Sequence, residues 1–245
     1  GDFANGAQIM FDQFIFSAQQ KWNEVNNLAI LLPHGFEGQG PEHSSARIER
    51  FLSLAGQNNM LIANPTSASQ VFHLLNNQAD ENLPLVMFTP KSLLRLKDAN
   101  SQLDEFTDGK FENIRYSAKV KKFKKVIFCS GKIYYALIKK QAELKHKDTL
   151  ILSLEMLYPL PENEIKQIIE KTKASEYVYV QEEPRNAGAF SYLQDRFLNL
   201  FDLKLEYIGI GTKASPAVGN LKLHQAQQDY ILNKAFNVKA KLGEK

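Results

Sequence analysis

The sequence predicts an α/β protein whose parallel or mixed sheets are covered by helices on both faces, because short apolar runs alternate with helical patterns. A polar stretch interrupts this alternation once. The halves also differ in charge: residues 1–118 hold 8 Lys and Arg against 13 Asp and Glu, a balance of −5, whereas residues 119–245 hold 22 against 14, a balance of +8. We therefore expect two three-layer α/β/α units, residues 1–90 and 125–245, joined by a crossover linker over 91–124.

The first predicted unit consists of a helical N-terminal segment followed by alternating strands and helices. The N-terminal segment carries apolar residues at helical spacing, whereas the apolar runs that start at Leu28 and Leu85 are short and continuous, as expected for buried strands. Pro65 and Pro90 mark the ends of two strands. The predicted strands are 28–32, 60–63 and 85–88, and the predicted helices are 4–18, 46–55 and 67–76.

The second predicted unit repeats the alternation with four strands and four helices. Ser130-Gly131 opens its first helix, and Pro161 occupies the first turn of its second helix, where proline is well tolerated. The predicted strands are 125–129, 149–154, 177–181 and 205–208, and the predicted helices are 130–144, 161–173, 187–200 and 223–235.

Composition narrows the class of protein. The single cysteine, Cys129, excludes an internal disulfide and favours a reducing compartment. The apolar runs are too short to cross a bilayer, and the first residues lack a charged and then apolar leader, so we expect the native chain to continue upstream. The lysine-rich run 119–125 could bind nucleic acid or an acidic partner. A solvated linker is the favoured interpretation, because no nucleic-acid motif accompanies the run.

The segment from Pro33 to Arg47 holds the strongest functional signal. It follows a predicted strand, has three glycines within six residues, and contains His34 and His43 with two glutamates between them. Ser44 then offers a cap for the next helix. A strand, a glycine-rich loop and a helix start form the arrangement in which open α/β sheets bind anions.

Several chemistries fit this loop with different strength. A metal site is possible, but neither a helical histidine pair nor a thiolate set supports it. A nucleophilic Ser44 beside His43 is weaker, because no Gly-x-Ser-x-Gly elbow is present. A P-loop is excluded, because no Gly-Lys-Ser/Thr follows the glycines. Recognition of a polar substrate and proton handling by the histidines remain. The plain alternative is that both histidines only satisfy backbone groups.

Six sequence blocks in one order then resemble a known family. Together they cover nearly the whole chain, and the chain resembles the C-terminal part of the thiamine-diphosphate-dependent dehydrogenase component of the 2-oxoglutarate dehydrogenase complex. Phe36 departs from the family pattern, which usually has tyrosine at this place. The blocks are 1–8, 34–47, 89–95, 129–135, 181–189 and 214–219.

The resemblance implies an incomplete transketolase-like pyrimidine-binding domain in residues 1–90 and a transketolase C-terminal-like domain in residues 125–245. It implies decarboxylation of 2-oxoglutarate, with transfer of the succinyl group to a lipoyl group, in the tricarboxylic acid cycle. His43 matches a histidine that faces the substrate, and His34 matches a second histidine of the pocket; both are the catalytic candidates.

The resemblance also implies what this chain lacks. The cofactor, thiamine diphosphate with Mg²⁺, would be held by diphosphate, metal and aminopyrimidine contacts upstream of the sequence matching Gly1. We therefore expect the isolated chain to bind no cofactor and to be inactive. Half a cofactor domain would also expose apolar surface, with Phe11, Phe14, Phe16 and Trp22 as candidates, and we expect self-association as a dimer.

The implied partners are a second copy in a homodimer, the dihydrolipoyl succinyltransferase with its lipoyl domain, and 2-oxoglutarate, with neither nucleic acid nor membrane. The implied location is the bacterial cytoplasm or, alternatively, the mitochondrial matrix. Lys132, Arg185 and Lys213 could bind an acidic effector, although solvated surface charge is the favoured interpretation. A different class stays open: a non-catalytic dimerisation or regulatory module on the same fold.

Overall fold

The structure is a computed structural model, which describes residues 1–36, 46–215 and 217–239. Within these ranges the chain forms two mixed sheets with helices packed around them, and the predicted α/β class is confirmed. The strands are β1 (Ala29–Leu32), β2 (Leu61–Ala63), β3 (Leu85–Phe88), β4 (Ile114–Tyr116), β5 (Lys125–Cys129), β6 (Thr149–Leu154), β7 (Met156–Tyr158), β8 (Glu176–Val180) and β9 (Glu206–Ile208). The α-helices are α1 (Asp2–Gly6), α2 (Gln8–Met10), α3 (Ala18–Trp22), α4 (Ile48–Leu54), α5 (Ala68–Gln78), α6 (Leu103–Thr107), α7 (Ile133–Glu143), α8 (Glu162–Thr172), α9 (Phe190–Phe201) and α10 (Leu221–Ala235).

The first sheet has the strand order β1-β3-β2-β7, and the second has the order β4-β6-β5-β8-β9. All pairings are parallel except those of β7 with β2 and of β4 with β6. The central strands β3, β5 and β6 are buried along their whole length. This explains their continuous apolar sequences, because both faces of such strands are covered.

Two short strands cross the boundaries expected from the sequence. Strand β4 lies inside the predicted linker and pairs with β6 at the edge of the second sheet. Strand β7 follows β6 after a single residue, Glu155, yet it joins the first sheet beside β2. Each is only three residues long, too short for a visible alternation of apolar and polar residues. The chain thus passes directly from one sheet to the other at Glu155.

The N-terminal segment is not the continuous helix that the sequence predicts. A π-helical turn over Phe11–Ile15 separates α2 from α3, and the Phe16 amide donates to the Phe11 carbonyl at 3.1 Å. This turn places residues five apart on one side, so that Phe11 and Phe16 stack at 5.7 Å and both rings contact Phe51. Burial of both rings accounts for the break in the helix.

One hydrophobic core connects the two sheets. It contains Phe51 of α4, Phe88 of β3, Phe128 of β5 and Phe197 of α9, together with Leu157 of β7. Because apolar side chains from both sheets share this cluster, we expect their packing to be coupled. Among the described helices, none combines the length and apolarity that a bilayer span requires.

Candidate functional site

His34 lies two residues beyond the end of β1, at the carboxyl end of the first sheet. Its side chain is 5% exposed, and its ring meets the ring of Phe88, the last residue of β3, at 5.6 Å in an edge-to-face arrangement. Carboxyl ends of parallel strands are where α/β sheets carry their sites. The fold therefore places His34 at a strand end, as the sequence predicts for its loop.

Both ring nitrogens of His34 have partners. Nε2 lies 2.7 Å from Oε1 of Glu183, and the backbone amide of Ala46 donates to Nδ1 at 3.1 Å. A backbone N–H can only donate, so Nδ1 must be the unprotonated acceptor, and the ring proton must sit on Nε2 and point to the carboxylate. His34 therefore has no ring nitrogen left to present to a substrate in this arrangement.

Glu183 follows β8 of the second sheet, so the His34–Glu183 contact joins the two halves of the chain. Burial raises the pKa of this carboxyl, but its contact with His34, with a smaller contribution from the positive charge of Lys132, outweighs this effect, and the net pKa is lowered. Glu183 is thus a carboxylate near neutral pH. A carboxylate that accepts from a histidine ring fixes the tautomer and orientation of that ring.

The turn that carries Glu183 is held from inside by Gln181. The Gln181 amide nitrogen donates to the carbonyls of Ala187 at 2.7 Å and of Pro184 at 3.1 Å, and its Oε1 accepts from the Phe190 amide at 3.1 Å. Gln181 is 2% exposed, so these bonds are sheltered from water. A side chain that is bonded on both ends in this way makes the turn rigid.

The neighbouring Glu182 points to a different partner. Its carboxylate pairs with Lys132, the residue before α7, and both side chains are largely buried. Among the partners that the structure describes, Glu183 thus pairs with His34 and Glu182 with Lys132. This pair accounts for Lys132, which the sequence left as a possible effector contact.

A small cleft of about 90 Å³ opens beside His34 between the two halves. Two residues of the histidine loop, which runs from Pro33 to Arg47, have left-handed backbone conformations: Phe36 with φ of 46° and Arg47 with φ of 61°. Non-glycine residues rarely adopt this conformation unless their surroundings impose it. The cleft is lined by His34, Phe36, Arg47, Glu49, Glu183, Pro184, Asn186, Ala187, Lys213, Ala214 and Ser215.

The structure treats the predicted site residues differently. His34 reaches the cleft, whereas His43 lies outside the described residues, as do both glutamates of the loop and Ser44. Lys213 lines the cleft, and the guanidinium of Arg185 lies over the adjacent rings of Phe190 and Tyr207, at 4.7 and 5.0 Å from their centroids. Among the residues that the structure describes, no cluster of three metal-binding side chains occurs.

A second buried carboxylate, Glu155, was not singled out by the sequence. Its Oε2 accepts from the Thr66 amide at 2.6 Å, and its Oε1 accepts from the hydroxyls of Thr66 and Ser153, both at 2.7 Å. Arg115 donates to the Thr66 hydroxyl at 2.9 Å and to the Tyr135 hydroxyl at 3.0 Å. Burial raises the pKa of Glu155 to about 7 against these favourable contacts.

Sequence reasoning also missed Gln181 and Glu183 as parts of the site. The available signal was their place: both directly follow a strand of the second predicted sheet. Which loop they would face depends on how the two sheets pack, and no local pattern encodes that. Glu155 carried still less signal, because it lies within an apolar run that spans two strands.

The fold and the family comparison together define a class. Residues 1–97 match the family model described as transketolase, pyrimidine binding domain, and the mixed α/β fold fits that description. Residues 100–236 match the model described as 2-oxoglutarate dehydrogenase C-terminal. The chain belongs to this 2-oxoglutarate dehydrogenase family.

Curated relatives agree with this assignment. The chain is 46% identical over 246 residues to a protein named oxoglutarate dehydrogenase from Buchnera aphidicola subsp. Baizongia pistaciae, covering 97% of this chain and 27% of the relative. It is 46% identical to the 2-oxoglutarate dehydrogenase E1 component of Cupriavidus necator, over 96% of this chain and 26% of the relative. The corresponding protein of Haemophilus influenzae is 43% identical, over 97% and 26%. The chain thus spans about a quarter of the length of these relatives.

Proposed function

We propose that this chain forms the C-terminal quarter of a 2-oxoglutarate dehydrogenase. The whole protein would decarboxylate 2-oxoglutarate with thiamine diphosphate and Mg²⁺ and pass the succinyl group to the lipoyl group of a succinyltransferase. The observation that carries the proposal is the similarity to proteins of that name along 96–97% of this chain. The same similarity favours the enzyme over the non-catalytic module, because the relatives are named as the dehydrogenase component.

We infer that the cleft beside His34 does not form a complete cofactor site by itself. The cleft beside His34 measures about 90 Å³, whereas pockets for ligands of cofactor size measure roughly 300–1,000 Å³. The cofactor, when bound to the whole protein, would supply the electron sink for decarboxylation. The part that we assign to this chain is to hold and orient polar groups next to that cofactor.

We assign different roles to the two histidines. His43 is proposed as the catalytic residue that binds a substrate carboxylate or moves a proton, an interpretation that rests on its place in the loop. His34 is proposed as a pocket residue whose ring supports the loop, since its Nε2 and Nδ1 are both bonded within the protein. His34 would then hold the loop in place, and His43 would bind the substrate or move the proton.

The proposed assembly is a homodimer in the cytoplasm of a bacterium. Exposed apolar side chains in the N-terminal segment support a contact surface there: Phe3, Phe14 and Trp22 are 94%, 49% and 52% exposed. Of the four aromatic residues expected to form this surface, Phe11 and Phe16 are instead buried in the core, because the π-helical turn directs both rings inward. A monomeric mass for the whole protein in light scattering would contradict the homodimer.

Turnover of the whole protein tests the proposal. Release of carbon dioxide from 2-oxoglutarate is measured with and without thiamine diphosphate and Mg²⁺, for the wild type and for His43→Ala. We expect turnover that depends on the cofactor and a loss of about 10²-fold or more in His43→Ala, the range for a lost acid–base or charge-binding group.

His146→Ala is the matched control, because the described partners of this half-buried histidine, Thr149, Phe236 and Asp148, do not line the cleft. It should keep near-normal turnover. A whole protein without cofactor-dependent decarboxylation would contradict the proposed activity. Near-normal turnover in His43→Ala would contradict only the assignment of this residue.

A further inference from the structure

The contacts around His34 connect both ends of the histidine loop to one turn of the second sheet. His34 lies near the start of the loop, and its side chain accepts from the Ala46 amide, which lies near the end of the loop, at 3.1 Å. The same ring donates to Glu183 at 2.7 Å. We propose that Glu183 is a positioning residue for the active site, which fixes His34 in the tautomer that ties Ala46 to the end of β1. This inference rests on the proposed function.

The role of Glu183 follows from the two possible states of the imidazole. A neutral histidine carries its proton on either nitrogen, and only the form with the proton on Nε2 leaves Nδ1 free to accept the Ala46 amide. The Glu183 carboxylate can only accept, so it selects that form. Without this acceptor, His34 could protonate Nδ1 instead, and the Ala46 amide would lose its partner.

Glu183 lies on a closely packed turn, so its carboxylate is a fixed acceptor for the ring of His34. Its turn is closed by the side chain of Gln181, and its backbone carbonyl accepts from the Tyr207 hydroxyl at 3.2 Å. Adding a Cβ at Gly188 would bring it within 2.8 Å of the Gln181 amide oxygen, so the turn is closely packed at its far end too. A carboxylate on such a turn has little freedom to follow a moving partner.

A second contact ties the loop's far side to the same turn. Glu49, in the first turn of α4, accepts from the Gly188 amide at 2.9 Å. Ala46 is completely buried, and Arg47 has a positive φ of 61°. The start of α4 is therefore held both through His34 and through Glu49. Both connections end on residues 181–188, so the geometry of the loop's ends depends on the second sheet.

The test uses the whole protein with Glu183→Ala, Glu183→Gln and the control Glu176→Ala. Glu176 begins β8, the strand that leads to Glu183, and it pairs with the buried Lys125 at 3.4 Å, so its loss also leaves a buried charge without a partner, but away from His34. The first measurement is the deuterium exchange of a peptide that covers Ala46, which reads the His34–amide bond without reference to activity. The second is kcat with 2-oxoglutarate.

We expect Glu183→Ala to speed exchange at Ala46 and to lower kcat by about 10- to 100-fold, the range for losing a supporting partner of a site histidine. Glu183→Gln should retain kcat within about 3-fold, because its amide oxygen still accepts from Nε2–H. Glu176→Ala should leave both the exchange of Ala46 and kcat near the wild-type values, whatever its effect on the melting temperature.

The outcomes separate this inference from the proposed function. Unchanged exchange and unchanged kcat in Glu183→Ala would overturn the positioning role, even where His43→Ala abolishes turnover. Equal losses in Glu176→Ala and Glu183→Ala would also overturn it, because they would indicate a general structural cost. A wild-type protein that fails to decarboxylate 2-oxoglutarate would contradict the proposed function, while the exchange of Ala46 would still test the contact.

Discussion

Two buried glutamates join the two sheets, and they do so by different means. Glu155 lies where the chain passes from β6 to β7 and accepts from an amide and from two hydroxyls. Glu183 follows β8 and accepts from the ring of His34 at the edge of a cleft. The Glu155 residue is fully buried, whereas the Glu183 side chain keeps 14% of its exposure.

This difference sets the charge of each carboxyl. Burial raises the pKa of Glu155 to about 7, although Ser153, Arg115 and Thr66 all act in the opposite direction. Burial also acts on Glu183, but its contact with His34 lowers the net pKa. The donors of Glu155 and the nearby Arg115 do not offset its burial, whereas the contact with His34 and the charge of Lys132 offset the burial of Glu183. Glu183 and His34 therefore form a charged junction at the cleft. Glu155 and its donors form an interior junction, whose carboxyl titrates near pH 7.

The largest expected effect comes from removing the partner of the charged junction. His34→Ala leaves Glu183 largely buried without its donor, and we expect a loss of about 3 kcal/mol in the free energy of unfolding. Urea unfolding of this chain near neutral pH measures it. His73→Ala is the matched control, because His73 is also buried but its described partners are uncharged: the carbonyl of Glu105 and the ring of Phe72. Its cost should be about 1 kcal/mol. Equal costs would show that the charge of Glu183 does not matter.

The second prediction uses the opposite pKa shifts. Because the folded pKa of Glu155 is raised from 4.5 to about 7, the folded protein holds its proton more tightly than the unfolded one, and stability falls as pH rises through this window. The lowered pKa of Glu183 has the reverse effect: its stabilisation is present above the unfolded value of 4.5 and is lost as pH falls through the folded pKa.

Glu155→Gln should therefore remove a pH-dependent loss on the order of 2 kcal/mol between about pH 4.5 and 7. Urea midpoints measured across this range for wild type and variant test it. Among the described residues, the titratable groups that interact with Glu155 are Arg115, Tyr134, Tyr135 and Cys129. None of them ordinarily titrates in this window. An unchanged slope in the variant would show that another group is responsible.

The order of elements was accessible from the sequence because each long element carries its own pattern. Strands β5 and β6 are continuous apolar runs, and α8 buries Ile165 and Ile168 at helical spacing after Pro161. The broken N-terminal helix was not accessible, because the five-residue spacing of Phe11 and Phe16 acquires meaning only when Phe51 is beside them. Tertiary contacts decided the local conformation there.

Only one half of the site could be predicted from the sequence. His34 was found from the glycine-rich loop after β1, a local pattern. Glu183 lies 149 positions away, and Thr66 and Glu155 are separated by 89 positions. Such pairs form because the core between the sheets fixes their approach, and a single sequence has no signal for that distance. The partners of a site residue are therefore harder to predict than the residue itself.

The smallest expected effect concerns the close approach of backbone beside the interior junction. Gly131 precedes α7 with φ of +71°, and a Cβ there would lie 2.6 Å from Nδ2 of Asn64. The backbone amide of Asn64 donates to the backbone carbonyl of Glu155 at 2.8 Å. Gly131→Ala should cost about 1 to 2 kcal/mol, since alanine disfavours this conformation and the buried Asn64 must shift. Gly56→Ala is the control, because nothing lies within 4 Å of its added Cβ and its φ is not positive.

Urea unfolding of both glycine variants measures the difference. If the shift of Asn64 disturbs the junction, Gly131→Ala should also change the pH dependence of stability between about pH 4.5 and 7, as Glu155→Gln does. A cost without any change in the pH profile would mean that the strain stays at Gly131. In that case the network around Glu155 tolerates displacement of Asn64, and the rigidity of the interior junction comes from Thr66 and Ser153 instead.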